Sequence, residues 1–178
     1  MKRIKKIFAV TVWTSCVMTS FAQSSQNRTS DALSVGLPVF AAVASFAKDD
    51  TQGLYQLMQS EAAALVATQV LKSAIHETRP NGTDNQSFPS QHASVAFAAA
   101  QYLQIKGGWE WGAPAYVLAG YASYLRVDAK EHYWRDVIAG AAIGMGASYY
   151  FTDDPSKQRL SMSWRPGGVA LNWQRPLP

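Results

Sequence analysis

Apolar residues recur along this chain at three- and four-residue spacings, which places them on one side of an α-helix, in five stretches near residues 31–47, 54–77, 90–105, 113–125 and 132–151. Asn81-Gly82 and Gly107-Gly108 punctuate them. The period changes only in the tail. There Leu160, Met162 and Trp164 alternate with polar residues, Pro166-Gly167-Gly168 reads as a turn, and Val169, Leu171 and Trp173 alternate again. The pattern predicts an all-α fold, a single-domain helical bundle of about five to six helices with a short C-terminal β-hairpin. Such a hairpin needs other apolar surface to be stable, and its tryptophans suit packing. The divisions expected are a leader at 1–22, a flexible polar start at 23–30, the helical domain at 31–154 and the tail at 155–178.

The leader changes the reading of charge. The formal net charge of +4 counts Lys2, Arg3, Lys5 and Lys6, which precede the apolar run from Ile7 to Met18. A basic start, a short apolar stretch and Ser20-Phe21-Ala22 as a small-x-small cleavage site form a secretory signal layout. An uncleaved N-terminal anchor is the alternative, and its flanking charges give the same orientation. Without those four cations, twelve basic residues face twelve acidic ones. Nucleic-acid binding then loses its compositional support. The single cysteine, Cys16, falls in the leader, so the remaining chain forms no disulfide. The expected location is the bacterial cell envelope, on the periplasmic side.

Residues 32–47, 111–125 and 137–152 carry no charge, yet each is shorter than the ~20 residues that span a bilayer comfortably. Membrane association and a soluble bundle both remain open on this ground. Tyr102, Trp109, Trp111 and Tyr116 are candidates for an aromatic belt at a membrane interface.

The cations that remain are clustered. Lys72-x6-Arg79-Pro80 spaces two of them by about two helical turns, so both are expected on one stripe of a helix that Pro80 helps to end. Pro89-Ser90-Gln91-His92 opens an Ala-rich helix with Ser90 as N-cap, and the free amides of a helix start favour anions. Arg126-x5-His132-x3-Asp136 puts His132 and Asp136 four apart, where one helix face lets a carboxylate orient an imidazole. Each cluster alone fits an ordinary surface ion pair, cap or basic helix end. With His76, His92 and His132 as the only histidines and no zinc-ligand spacing among them, no metal is expected. His76 and Glu77 read as surface residues, with Glu77 free to pair with a cation.

In this order the three clusters resemble the signature of the type 2 phosphatidic acid phosphatase superfamily: Lys-x6-Arg-Pro, Pro-Ser-Gly-His and Ser-Arg-x5-His-x3-Asp. Nine of its eleven defined positions match over residues 72–136, with Gln91 in place of glycine and Leu125 in place of serine. The resemblance implies a phosphatase without cofactor that acts on a phosphorylated lipid or a small phosphate ester. Lys72, Arg79 and Arg126 would grip the phosphoryl oxygens, joined by Ser90 and Gln91 at the helix start. His132 would attack phosphorus, with Asp136 fixing its tautomer, to give a phosphohistidine. His92 would protonate the leaving oxygen and then activate water. Gln91 keeps the backbone donor but brings a side chain where the family has none, and Leu125 cannot donate a hydrogen bond. The resemblance favours a membrane-associated lipid phosphatase of the envelope, with a soluble periplasmic acid phosphatase of broad range as the alternative and a vanadate-dependent haloperoxidase as a third reading, since one fold and one cage serve several chemistries.

Overall fold

The structure, a computed structural model, describes residues 25–154 and the backbone of residues 159–165 and 168–174. Among the described residues four helices carry the fold: α1 (Ser25–Ala47), α2 (Thr51–Ala74), α3 (Gln91–Asp128) and α4 (Trp134–Phe151). The expected leader, residues 1–22, lies outside the described residues, as does the turn at 166–167. On either side of that turn the backbone of β1 (Arg159–Arg165) runs antiparallel to β2 (Gly168–Gln174).

Helix number and helix ends differ from expectation for identifiable reasons. Residues 90–105 and 113–125 belong to one long element, broken only at Gly108 (φ 71°, ψ −170°), a conformation glycine adopts without a Cβ penalty. Among the described residues the expected five to six helices are thus four, or five where the two arms of α3 on either side of the Gly108 kink are counted apart. Of the expected polar start, residues 25–30 are helical, because α1 begins at Ser25. It docks through hydrogen bonds instead of apolar burial, which hydropathy cannot register. Ser30 Oγ donates to Ala122 O (2.9 Å), Asn27 Nδ2 to Glu131 Oε1 (3.1 Å) and Gln26 Nε2 to Asp128 Oδ2 (2.7 Å). At the other end of the first motif, α2 stops at Ala74, and Ile75 is already extended. The chain then runs through a loop in which Ser87 N donates to Glu77 O (2.9 Å).

The interior is built from small residues. Ala41, Ala96, Ala99, Ala100, Ala115 and Ala119 pack with Leu37, Leu57, Leu103 and Tyr102 between α1, α2 and α3. Tyr102 is 1% exposed with its hydroxyl 2.6 Å from Ser45 Oγ, so it is a core residue and not part of an aromatic belt. Trp109, 67% exposed, does face outward. Between α3 and α4 the approach is closer still. A Cβ on Gly140 would stand 2.3 Å from Ser90 O, and one on Gly144 would stand 2.0 Å from Ser94 O. Hydroxyls fill the seam with α2, where Thr68 Oγ1 donates to Ser94 Oγ (3.1 Å) and Ser60 and Ser148 flank Thr152. Glu61 sits in the same interior, fully buried with both carboxyl oxygens unpartnered. An ionised carboxylate there would be costly, so the group is held as the neutral acid.

Large apolar side chains lie outside this small-residue core. Phe40, Val43, Val66, Val70, Val117, Ile138 and Tyr150 are all exposed. Helix α1 alone among the described helices is long and apolar enough to cross a membrane by length and composition.

Candidate active site

The residues of the three clusters come from four different places. Lys72 lies in the last turn of α2, buried, with its ammonium donating to Gln86 O. Arg79 is in the α2–α3 loop and not on α2, because the helix has ended five residues earlier and the residue before Pro80 favours an extended backbone. Its Nε donates to Asp84 Oδ1 (2.8 Å) and its Nη1 to Glu131 Oε2 (2.6 Å). Ser90 is the N-cap of α3, its Oγ facing Ala93 N at 3.5 Å, and Gln91 and His92 form the first turn. Arg126 closes α3 and is 3% exposed.

His132 precedes α4 instead of riding on its face. The helix starts at Trp134 behind the N-cap Tyr133, and Asp136 is its third residue, accepting from Tyr133 N (2.9 Å). That places Asp136 Oδ2 3.7 Å from His132 Nδ1, adjacent but longer than a hydrogen bond. Asp136 Oδ2 is engaged by Ser87 Oγ (2.5 Å) as well, and Asp136 O accepts from Ser90 N (2.9 Å). Asp136 therefore fastens the starts of α3 and α4 to each other beside the His132 ring. His132 Nδ1 is buried without a partner.

Electrostatics show that the groups converge. Burial, reinforced by the positive charges of Arg79, Arg126, Lys72 and His92, pushes the His132 imidazole down to about 2. It is neutral at every ordinary pH, the form a nucleophile needs. Burial and Arg79 bring Lys72 down to about 8. His92 is lowered by burial, then raised by Asp31 and lowered again by Arg126.

Three residues of this site carry no motif. Asp31 of α1 reaches His92 Nε2 (2.8 Å) and Arg126 Nη1 (3.3 Å). Glu131 bridges Arg79 and Arg126 Nη2 (3.7 Å). Ser87 holds Asp136. Only Ser87 had a local signal, as the serine three residues ahead of Ser90. Leu125, the residue that departs from the motif, is buried next to Arg126 in the last turns of α3. Glu77 pairs with Arg135 outside the cage. Among the described residues no three His, Cys, Asp or Glu side chains converge as a metal site would require.

Comparison with known proteins agrees with this arrangement. The family model of the PAP2 superfamily matches residues 53–159. The lipid A 4′-phosphatase of Helicobacter pylori (strain J99) is 29% identical over 127 residues, 65% of this chain and 64% of that protein. The lipid A 1-phosphatase of Porphyromonas gingivalis is 32% identical over 109 residues, 55% of this chain and 24% of that protein. The chain thus spans less than two thirds of the length of either curated relative. The crystal structure of Aquifex aeolicus LpxE shares the fold, with a TM-score of 0.57 and 20% identity over 66% of this chain and 82% of that one. Because the family model covers more than half of the sequence and its three motifs meet in one buried cage, the chain belongs to the PAP2 superfamily.

Proposed function

We propose that this protein is a phosphatase of the bacterial cell envelope, on the periplasmic side, that removes a phosphate monoester or diphosphate from a membrane lipid through a phosphohistidine on His132. One observation carries the reading: a buried, neutral His132 lies under the combined field of Lys72, Arg79 and Arg126. Three fixed cations suit a phosphoryl group whose charge grows in the transition state. His132 attacks phosphorus, and Asp136 beside it steadies the positive charge that forms on the ring. His92 protonates the leaving oxygen and then takes a proton from the water that cleaves the intermediate. Ser90 and the amides of Gln91 and His92 complete the phosphate seat at the start of α3. No metal enters this scheme.

The lipid part of the reading rests on the inverted packing, alanine inside and Val, Phe and Tyr outside, which is what a bundle in contact with acyl chains presents. An apolar cavity of about 320 Å³ between α1 and the second half of α3, lined by Leu33, Leu37, Phe40, Trp111 and Leu118, suits the same class of ligand. The two relatives, both lipid A phosphatases, point to a lipid A phosphate first, with phosphatidic acid and polyprenyl diphosphates as the other members of the panel.

Phosphate release from that panel and from short soluble esters, with and without a chelator, tests the proposal. The lipids are expected to be preferred, the chelator to have no effect, and His132→Ala to cost about a thousandfold or more. Turnover that persists in His132→Ala removes the nucleophile from the scheme, and equal rates on soluble esters remove the lipid.

A further inference from the structure

Asp31 is supplied to the site by an element that the family match, residues 53–159, does not include. It stands 2.8 Å from His92 Nε2 and 3.3 Å from Arg126 Nη1. Its place is set by the neighbouring polar residues of α1. Asn27 and Ser30 are held to Glu131 and Ala122 O, and Gln26 to Asp128, so the first two turns are pinned against the end of α3.

We propose that Asp31 is the positioning carboxylate of His92, so that this chain holds two histidine–aspartate pairs, one for the nucleophile and one for the general acid. The proposal rests on the roles assigned to His132 and His92 above. A general acid must carry a proton when substrate arrives, and the surroundings of His92 work against that. Burial, Arg126 of α3 and Arg79 of the α2–α3 loop all favour the neutral ring, whereas Asp31 favours the charged one. A carboxylate on one ring nitrogen also fixes the ring's orientation.

With Nε2–H committed to Asp31, the proton delivered is the one on Nδ1. His132 Nε2 forms its bond to phosphorus as the ester P–O bond breaks. The electron pair of that bond goes to the leaving oxygen, which takes the Nδ1 proton. His92 is left neutral, still donating to Asp31, and its free Nδ1 then accepts a proton from the water whose oxygen bonds phosphorus as the P–N bond breaks, the electron pair returning to His132 Nε2. Each turnover returns His92 to the imidazolium, and Asp31 stays ionised throughout.

The test compares kcat/KM of the parent and of Asp31→Asn on two esters with unlike leaving groups, since kcat/KM reports only the steps up to P–O cleavage. Phosphatidic acid in detergent micelles leaves as a basic alkoxide and needs the proton, whereas 4-nitrophenyl phosphate leaves as a stable phenolate and does not. Asp31→Asn is expected to lower kcat/KM at least tenfold on the alkyl ester and less than threefold on the aryl one, with Asp31→Glu recovering part of the loss. An equal fall on both esters, or no fall on either, overturns the proposal, as does a rise on both. A second measurement needs no turnover: the NMR titration midpoint of His92 is expected to drop in Asp31→Asn, and an unchanged midpoint overturns the pairing. If the parent releases phosphate from no ester while the His92 midpoint still moves, the phosphatase reading fails and the pairing stands.

Discussion

Burial and the neighbouring Arg79 bring the Lys72 ammonium down to about 8, which puts its titration inside the working range of an enzyme assay. The depressed value favours the neutral amine, so Lys72 is charged below about pH 8 and, in the proposed role, would lose its grip on phosphate above it. The kcat/KM of the free enzyme is therefore expected to fall as pH rises through about 8. In Lys72→Arg, whose guanidinium stays charged, that alkaline limb should vanish, and a limb unmoved by the substitution would assign it to another group. At this scale the motif residues were legible because the chemistry fixes their types and their local spacing. Asp31 and Glu131 were not. Asp31 reaches Arg126 across 95 residues, and no periodic pattern announces such a contact; Glu131 sits in the variable stretch of the third motif, where no residue type is fixed.

Helix ends were the part of the elements that sequence misjudged. A spacing of seven between Lys72 and Arg79, and of four between His132 and Asp136, both fit a helix, yet in each pair one member lies just outside one. Residue 79 follows the end of α2 at Ala74 by five residues, and His132 is cut off from α4 by the cap at Tyr133. The elements themselves were legible from apolar spacing, apart from the polar first turns of α1. What sets the distance between the elements is glycine. On α4, Gly144 meets Ser94 O and Gly140 meets Ser90 O, so backbone touches backbone one turn from the α3 cap. Gly144→Ala is expected to cost about 1–3 kcal/mol by overpacking and to slow turnover by displacing Ser90 and His92. Gly146, with nothing within 4 Å of an added Cβ, is the control, where alanine should be neutral or slightly stabilising. Melting temperatures of the two variants decide the matter, and equal values would mean that α3 can give way.

For the whole molecule, the architecture explains why composition alone left the solvent ambiguous. An alanine-rich sequence reads equally as a tight soluble core or a membrane bundle, and only the packing shows which residues are turned out. That packing sends Val, Phe and Tyr outward while the polar first turns of α1 are spent on completing the cage. Charge balance in the cage has a further effect on the catalytic cycle. Glu131 lies between Arg79 and Arg126, so on the proposed reading its carboxylate holds the seat a phosphate would take. Substrate would then enter by exchange, and once inorganic phosphate had formed, Glu131 would compete to expel it. A site arranged in this way is expected to resist its own product. Glu131→Gln, which keeps the acceptor for Asn27 but removes the charge, should make inorganic phosphate about tenfold more inhibitory, a difference of about 1.4 kcal/mol. A phosphate inhibition constant that does not change would mean that the two arginines bind product beside Glu131 and not in its place.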